Sequence, residues 1–104
     1  MTTYILLMNL TKEGRKTIKS NRQRIKEINK QIEGRGVKIL AQYAVLGSYD
    51  FINILDVQDD RAIGRVIEKL ARAGIFQTTT MTVLNYNESL EELWRRANSL
   101  LYLR

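Results

Sequence analysis

The chain has 104 residues, 44% hydrophobic and 27% charged, the balance of one ordinary globular domain rather than of a disordered chain. It holds no cysteine and no histidine, which excludes disulfide frameworks, thiolate and imidazole metal sites, and the nucleophilic and acid–base mechanisms built on those side chains. The net charge of +6 is concentrated, because residues 11–38 carry ten Lys and Arg against three acids and the remainder is close to neutral. Such a block is either the solvated face of a helix or an electrostatic footprint for nucleic acid.

No apolar run approaches the ~20 residues of a membrane span. Met1-Thr2-Thr3-Tyr4 also lacks the basic start of a secretory leader, so a cytoplasmic location with no membrane partner is expected.

In chain order, Tyr4 to Leu10 is an apolar run of strand length. Thr11-Lys12-Glu13-Gly14 opens a turn or short helix. Ser20, with Gln23 three residues on, has the pattern of a capping box, and Ile25, Ile28 and Ile32 then recur on one helical stripe until Gly34 stops it. Arg22, Arg24, Lys26 and Lys30 fall off that stripe, so most of the basic block lies on exposed helix.

Residues 37–46 and 49–57 read as two strands around Gly47-Ser48, a candidate type II′ turn with glycine at its first central position. That turn sets a register in which Val45 meets Asp50, Ala44 Phe51, Tyr43 Ile52, Gln42 Asn53, Ala41 Ile54 and Leu40 Leu55. Asp59-Asp60 caps a helix carrying Ile63, Val66, Ile67, Leu70 and Ala71, and Gly74 ends it. Ile75 to Leu84 is a Thr-rich strand. Asn87 is placed to cap a last helix with Leu90, Leu93, Trp94, Ala97, Leu100 and Leu101 at helical spacing. The acid clusters Asp56/Asp59/Asp60 and Glu88/Glu91/Glu92 fall at helix starts, where capping accounts for them, so no metal and no cofactor is expected.

The order predicts a ferredoxin-like βαββαβ fold over residues 1–86, α+β in class, with a four-stranded antiparallel sheet and helices on one face. Residues 87–104 form a C-terminal amphipathic helix that packs on its own or a partner subunit. Ala41, Ile52 and Ile54 make the purer apolar face and are assigned to the helices. The opposite face, with Tyr4, Leu6, Met8, Leu40, Ala44, Leu46, Tyr49, Phe51 and Leu55, would then be open. An apolar patch of that breadth marks an interaction site, and a second sheet would cover it. The expected homodimer or higher oligomer therefore has Tyr4, Leu6, Met8, Leu40, Ala44, Phe51, Leu55 and Trp94 at its interface, in a dimeric α/β-barrel-type assembly. Gln42 and Asn53 are an amide pair within that face; they bond to each other or anchor a ligand in an enclosed pocket.

At Leu46-Gly47-Ser48-Tyr49-Asp50 the chain resembles the GYD-domain family of small prokaryotic proteins, whose signature is this Gly-x-Tyr-Asp turn. The likeness extends from Tyr4 to Thr11 and Gly14, through the hairpin, to Asp59-Asp60 and the Thr-rich strand. It implies a ferredoxin-like, dimer-forming α+β domain and assigns no activity. The second half is also similar to the small-molecule-binding domain of leucine-responsive (Lrp/AsnC-type) regulators, in Gly47, Tyr49, Asp50, Thr78 and Thr80. That likeness implies a ligand bound between subunits near the turn; the preceding DNA-binding helix-turn-helix has no counterpart here.

The resulting reading is a non-catalytic small-ligand-binding or assembly module acting as a homo-oligomer, with Gln42, Asn53, Gly47, Tyr49, Asp50, Thr78 and Thr80 as ligand-binding candidates. No acid–base pair or activated nucleophile points to an enzyme. Two alternatives stand beside it. One is an RNA-binding domain that stacks bases on Tyr49 and Phe51 and holds phosphates with the basic 12–38 segment. The other is a cofactor-free oxygenase-like α+β barrel with Asn53, Tyr43 or Trp94 near substrate.

Overall fold

The computed structural model describes residues 1–84 and 86–98. Strand β1 (Thr2–Leu10) leads into helices α1 (Lys12–Ser20) and α2 (Arg22–Ile32), then strands β2 (Val37–Ala44) and β3 (Phe51–Val57), helix α3 (Asp60–Ala73), strand β4 (Phe76–Val83) and helix α4 (Tyr86–Ala97). The four strands form one antiparallel sheet in the order β2-β3-β1-β4, the ferredoxin-like arrangement expected from the sequence.

The first crossover holds two helices, and of the two openings expected at Thr11 it takes the helix. Thr11 caps α1 by accepting from the Gly14 N–H at 3.0 Å, while its own N–H and hydroxyl bond the Ile75 and Gly74 carbonyls at 2.8 and 2.7 Å. The exit of β1 is thereby tied to the entry of β4. Gly14 is buried against Ile75, and a methyl group there would overlap the Ile75 carbonyl oxygen. The cap of α2 is Asn21, whose side chain accepts from the Gln23 N–H at 3.1 Å. Ser20 instead ends α1, with its hydroxyl donated to the Lys16 carbonyl. Two capping side chains stand side by side here, and the asparagine wins. Asp59 caps α3 through the Ala62 N–H at 2.8 Å, and Gly74 closes it in the left-handed conformation at φ +69°, both as read from the sequence.

The core lies between one sheet face and the helices. Tyr4, Leu6 and Met8 of β1 and Leu55 and Val57 of β3 pack against Ile25, Ile28 and Ile32 of α2 and Ala62, Ile63, Val66 and Leu70 of α3. Burying each of these larger side chains contributes roughly 1.5–3 kcal/mol. The expected assignment of faces is therefore reversed. Tyr4, Leu6, Met8 and Leu55, expected at a subunit interface, are buried in this chain's own core. Phe51 is half-buried with its ring edge-on to Phe76, centroids 5.8 Å apart. Ala44 shares the helix-covered side through its pairing with Phe51.

The open face also carries apolar rows at its centre, so hydrophobicity alone does not mark which face the helices cover. One row across all four strands reads Ala41, Ile54, Ile5, Met81, and the next reads Tyr43, Ile52, Leu7, Thr79. Tyr43 and Met81 are exposed and Ile5, Leu7, Ile52 and Ile54 half-buried.

The hairpin register expected from Val45–Asp50 to Ala41–Ile54 is the one observed, but Leu40 does not meet Leu55. A bulge at Leu40 pairs Ile39 with Leu55 and Val37 with Val57, so two apolar side chains of β2 return to the core side. The loop is also looser than a II′ turn. Its last ladder bond runs from the Val45 N–H to the Asp50 carbonyl at 2.9 Å, and Gly47 sits at φ +143°, where other residues are strained.

Helix α4 begins at Tyr86, so Asn87 lies inside its first turn rather than capping it. None of its described residues is buried, and Leu90, Leu93 and Trp94 are exposed. Leu100 and Leu101 of its expected stripe lie outside the described residues.

Candidate functional site

A cavity of about 170 Å³ opens between α2 and the β2–β3 side of the sheet. Met8, Ile25, Ala44, Phe51 and Phe76 supply apolar wall, and Asn29, Gln42 and Asn53 supply three amides; Tyr43 completes the lining as its one titratable residue. The elements dictate this composition. In β3 the alternation that buries Phe51 and Leu55 must also bury Asn53 between them, and the β2–β3 register sets Gln42 directly opposite. Asn29 follows Ile25 by one helical turn and so overlooks the same space.

Asn53 is 3% exposed and is the one buried polar residue among those described. Its amide nitrogen donates to the Met8 thioether sulfur at 2.9 Å, a weak acceptor. Its oxygen accepts no hydrogen bond from the described residues and borders the cavity. Gln42 and Asn53 thus face each other, as the register implies, without bonding to each other. Burying an amide is unfavourable unless its groups find partners, and here one polar atom is left to whatever fills the cavity.

A shallower groove of about 360 Å³ continues outward from the same amides. Asn29 and Gln42 border both spaces, and the outer one adds Lys26, Lys30, Glu33 and Ile39. The Glu33 carboxylate is engaged with the Ile39 N–H at 3.2 Å, while Lys26 and Lys30 form no ion pair among the described residues.

The other candidates lie elsewhere. Gly47 and Tyr49 belong to the hairpin loop and do not line the cavity. Asp50 works as a brace. Its carboxylate accepts the Leu10 N–H at 2.8 Å and its N–H donates to the Met8 carbonyl at 2.9 Å, fastening the loop to β1. Thr78 and Thr80 pair with Met8 and Leu6 on the helix side of β4, outside the cavity lining. Phe51, turned against Phe76, is not free to stack bases on the open face, which takes one of the two aromatics, Tyr49 and Phe51, from the RNA reading. Trp94 on α4 is far from burial at 68% exposed and lines a separate shallow groove with Leu90, Glu91 and Arg95. The sequence reading missed Asn29, Ile25 and Phe76 as cavity residues. An asparagine one turn from Ile25 and beside Ile28 was the available signal.

Tyr4 closes the far end of the helix-covered face, with its hydroxyl donated to the Asp60 carboxylate at 3.2 Å. Burial pushes its phenol above the usual value of 10.0, and the bond to Asp60 and its charge add to the rise, while Thr82 opposes it. Among the described residues no helix is long and apolar enough to cross a membrane.

The chain is 41% identical over 85 residues to the glutamine synthetase and cystathionine β-lyase binding protein of Thermus thermophilus, covering 81% of this chain and 90% of that one. Solved structures share the fold. A feast or famine regulatory protein of M. tuberculosis complexed with L-methionine has a TM-score of 0.60 at 14% identity, and a transcriptional regulator of Neisseria meningitidis in complex with L-methionine has 0.56 at 15%. Each match covers 82% of this chain and 51% of the regulator, so the chain spans about half the length of those proteins. The GYD domain model matches residues 4–92, most of the chain and into α4. The chain belongs to the GYD-domain family.

Proposed function

We propose that this chain is a non-catalytic binding module that works as a homodimer, joined across its bare sheet face, and docks onto metabolic enzymes such as the two for which its Thermus relative is named. The observation that carries the reading is the pair of apolar rows on the uncovered side of the sheet, Ala41-Ile54-Ile5-Met81 and Tyr43-Ile52-Leu7-Thr79. Four strands at ~4.8 Å spacing make this a patch of a few hundred Å², the scale at which an uncovered apolar surface serves an interaction. Face-to-face packing of two such sheets would bury both. The interface then consists of Ile5, Leu7, Tyr43, Ile52, Ile54 and Met81 in place of the core residues expected from the sequence. Apart from Tyr43, which borders both, the lining of the cavity around Asn53 lies on the opposite side of the sheet, which leaves it free for a small ligand in such a dimer. An amide-rich lining without a paired acid and base suits binding rather than bond-breaking.

The test is surface capture. The chain is immobilised and glutamine synthetase and cystathionine β-lyase from the same genome are passed over it. Saturable binding of either enzyme is expected. Absence of response from both, with the immobilised chain folded, overturns the enzyme-docking reading.

A further inference from the structure

We infer that the cleft between α2 and β2 is a site for a small amphipathic anion, with an apolar body seated beside Asn53 and one acidic headgroup at Lys26 and Lys30. The inference rests on the binding-module reading and names the class of ligand for its cavity. Three observations carry it. The inner cavity, at about 170 Å³, is walled by Met8, Ile25, Phe51 and Phe76. A cavity of that order holds one group of benzene size. Next, Asn53 is almost wholly buried and its oxygen is unspent at the cavity wall, so a polar hydrogen of the ligand would complete it. Finally, Asn29 and Gln42 border both the cavity and the outer groove, which makes the two spaces one continuous path. At the outer end Lys26 and Lys30 have no carboxylate partner among the described residues, and the Glu33 carboxylate on the same groove accepts the Ile39 N–H, so the two lysines leave the groove net positive. The path therefore runs from apolar through amide to cationic, and its complement is a short molecule with an apolar end, a polar middle and a negative end.

The experiment is calorimetric titration of the full chain at low salt with 3-phenylpropionate, 2-phenylethyl phosphate and uncharged 3-phenylpropanol, alongside amide NMR spectra. The acid, the phosphate or both bind with shifts of the Asn29, Gln42 and Asn53 side-chain amides, and whichever binds identifies the headgroup. The alcohol binds roughly five- to tenfold more weakly, and the Lys26→Ala/Lys30→Ala double variant weakens the anion by a similar factor. Asn53→Leu abolishes binding while remaining folded by circular dichroism. Equal binding of alcohol and anion, retained binding in Asn53→Leu, shifts confined to other residues, or no binding of either anion to the folded chain overturns the inference. Enzyme capture run on the same preparation separates the two claims. Capture without probe binding removes the ligand class alone, and probe binding without capture removes the docking reading alone.

Discussion

Asp50, the last residue of the family's turn, is predicted to hold the sheet together rather than to touch a ligand. Its carboxylate takes the Leu10 N–H at 2.8 Å across 40 residues of sequence, and its backbone N–H bonds the Met8 carbonyl. Asp50→Ala removes the first bond and leaves a part-buried N–H without a partner. That omission costs about 1–3 kcal/mol, since the bond to a charged acceptor is lost and the donor is not resolvated in full. In a domain near this size each kcal/mol lowers the melting temperature by about 4–8 °C. Asp50→Asn keeps an acceptor oxygen and forfeits only the charge, so it should fall roughly halfway. Urea unfolding followed by circular dichroism measures both, with an unchanged m-value expected because no surface is newly exposed in the native state. Hydrogen exchange localises the effect, because the Leu10 amide should lose protection while amides at the centre of β1 keep theirs. An Asp50→Ala variant within ~0.5 kcal/mol of the parent, with Leu10 still protected, would refute the bracing role.

Gly14→Ala should destabilise the fold by several kcal/mol, because the new methyl meets the Ile75 carbonyl at the Thr11–Ile75 junction; a variant as stable as the parent would show that β1 and β4 are not pinned there. Leu70→Ala, at a fully buried position of α3, should cost about 2–5 kcal/mol by denaturant unfolding. Tyr4 gives a pH signature. Its folded-state phenol is raised above the ordinary 10.0, so its contribution is complete below that pH and is lost as pH rises from 10.0 through the raised value. Stability of the parent should therefore fall more steeply above pH 10 than that of Tyr4→Phe, and parallel curves would contradict the assignment.

Much of this architecture is legible in the sequence because local chemistry specifies it. Asp59 and Gly74 bound α3 through side-chain and backbone conformational demands that no distant contact overrides. The hairpin register follows from its loop, and so does the opposition of Gln42 and Asn53 that marks the cavity. What was not legible depends on tertiary packing. The bulge at Leu40 is a choice the chain makes to return Val37 and Ile39 to the core, and nothing local announces it. Which face the helices cover could not be read from hydrophobicity, since both faces are apolar and the covered one holds the only buried amide among the described residues. That amide sits beside a cavity, the kind of site at which a functional requirement overrides the packing rule. The position of α4 depends on contacts the alternation of its own residues does not specify.

The uncovered sheet face is tested most directly by the mass of the protein in solution. Light scattering at tens of micromolar should return twice the 12.1 kDa of one chain. Ile54→Glu, which sets a charge at the centre of the apolar row and is half-exposed in the isolated chain, should return a folded particle of one chain's mass. A parent that scatters as a single 12.1 kDa chain, or an Ile54→Glu variant that associates unchanged, would contradict the proposed dimer.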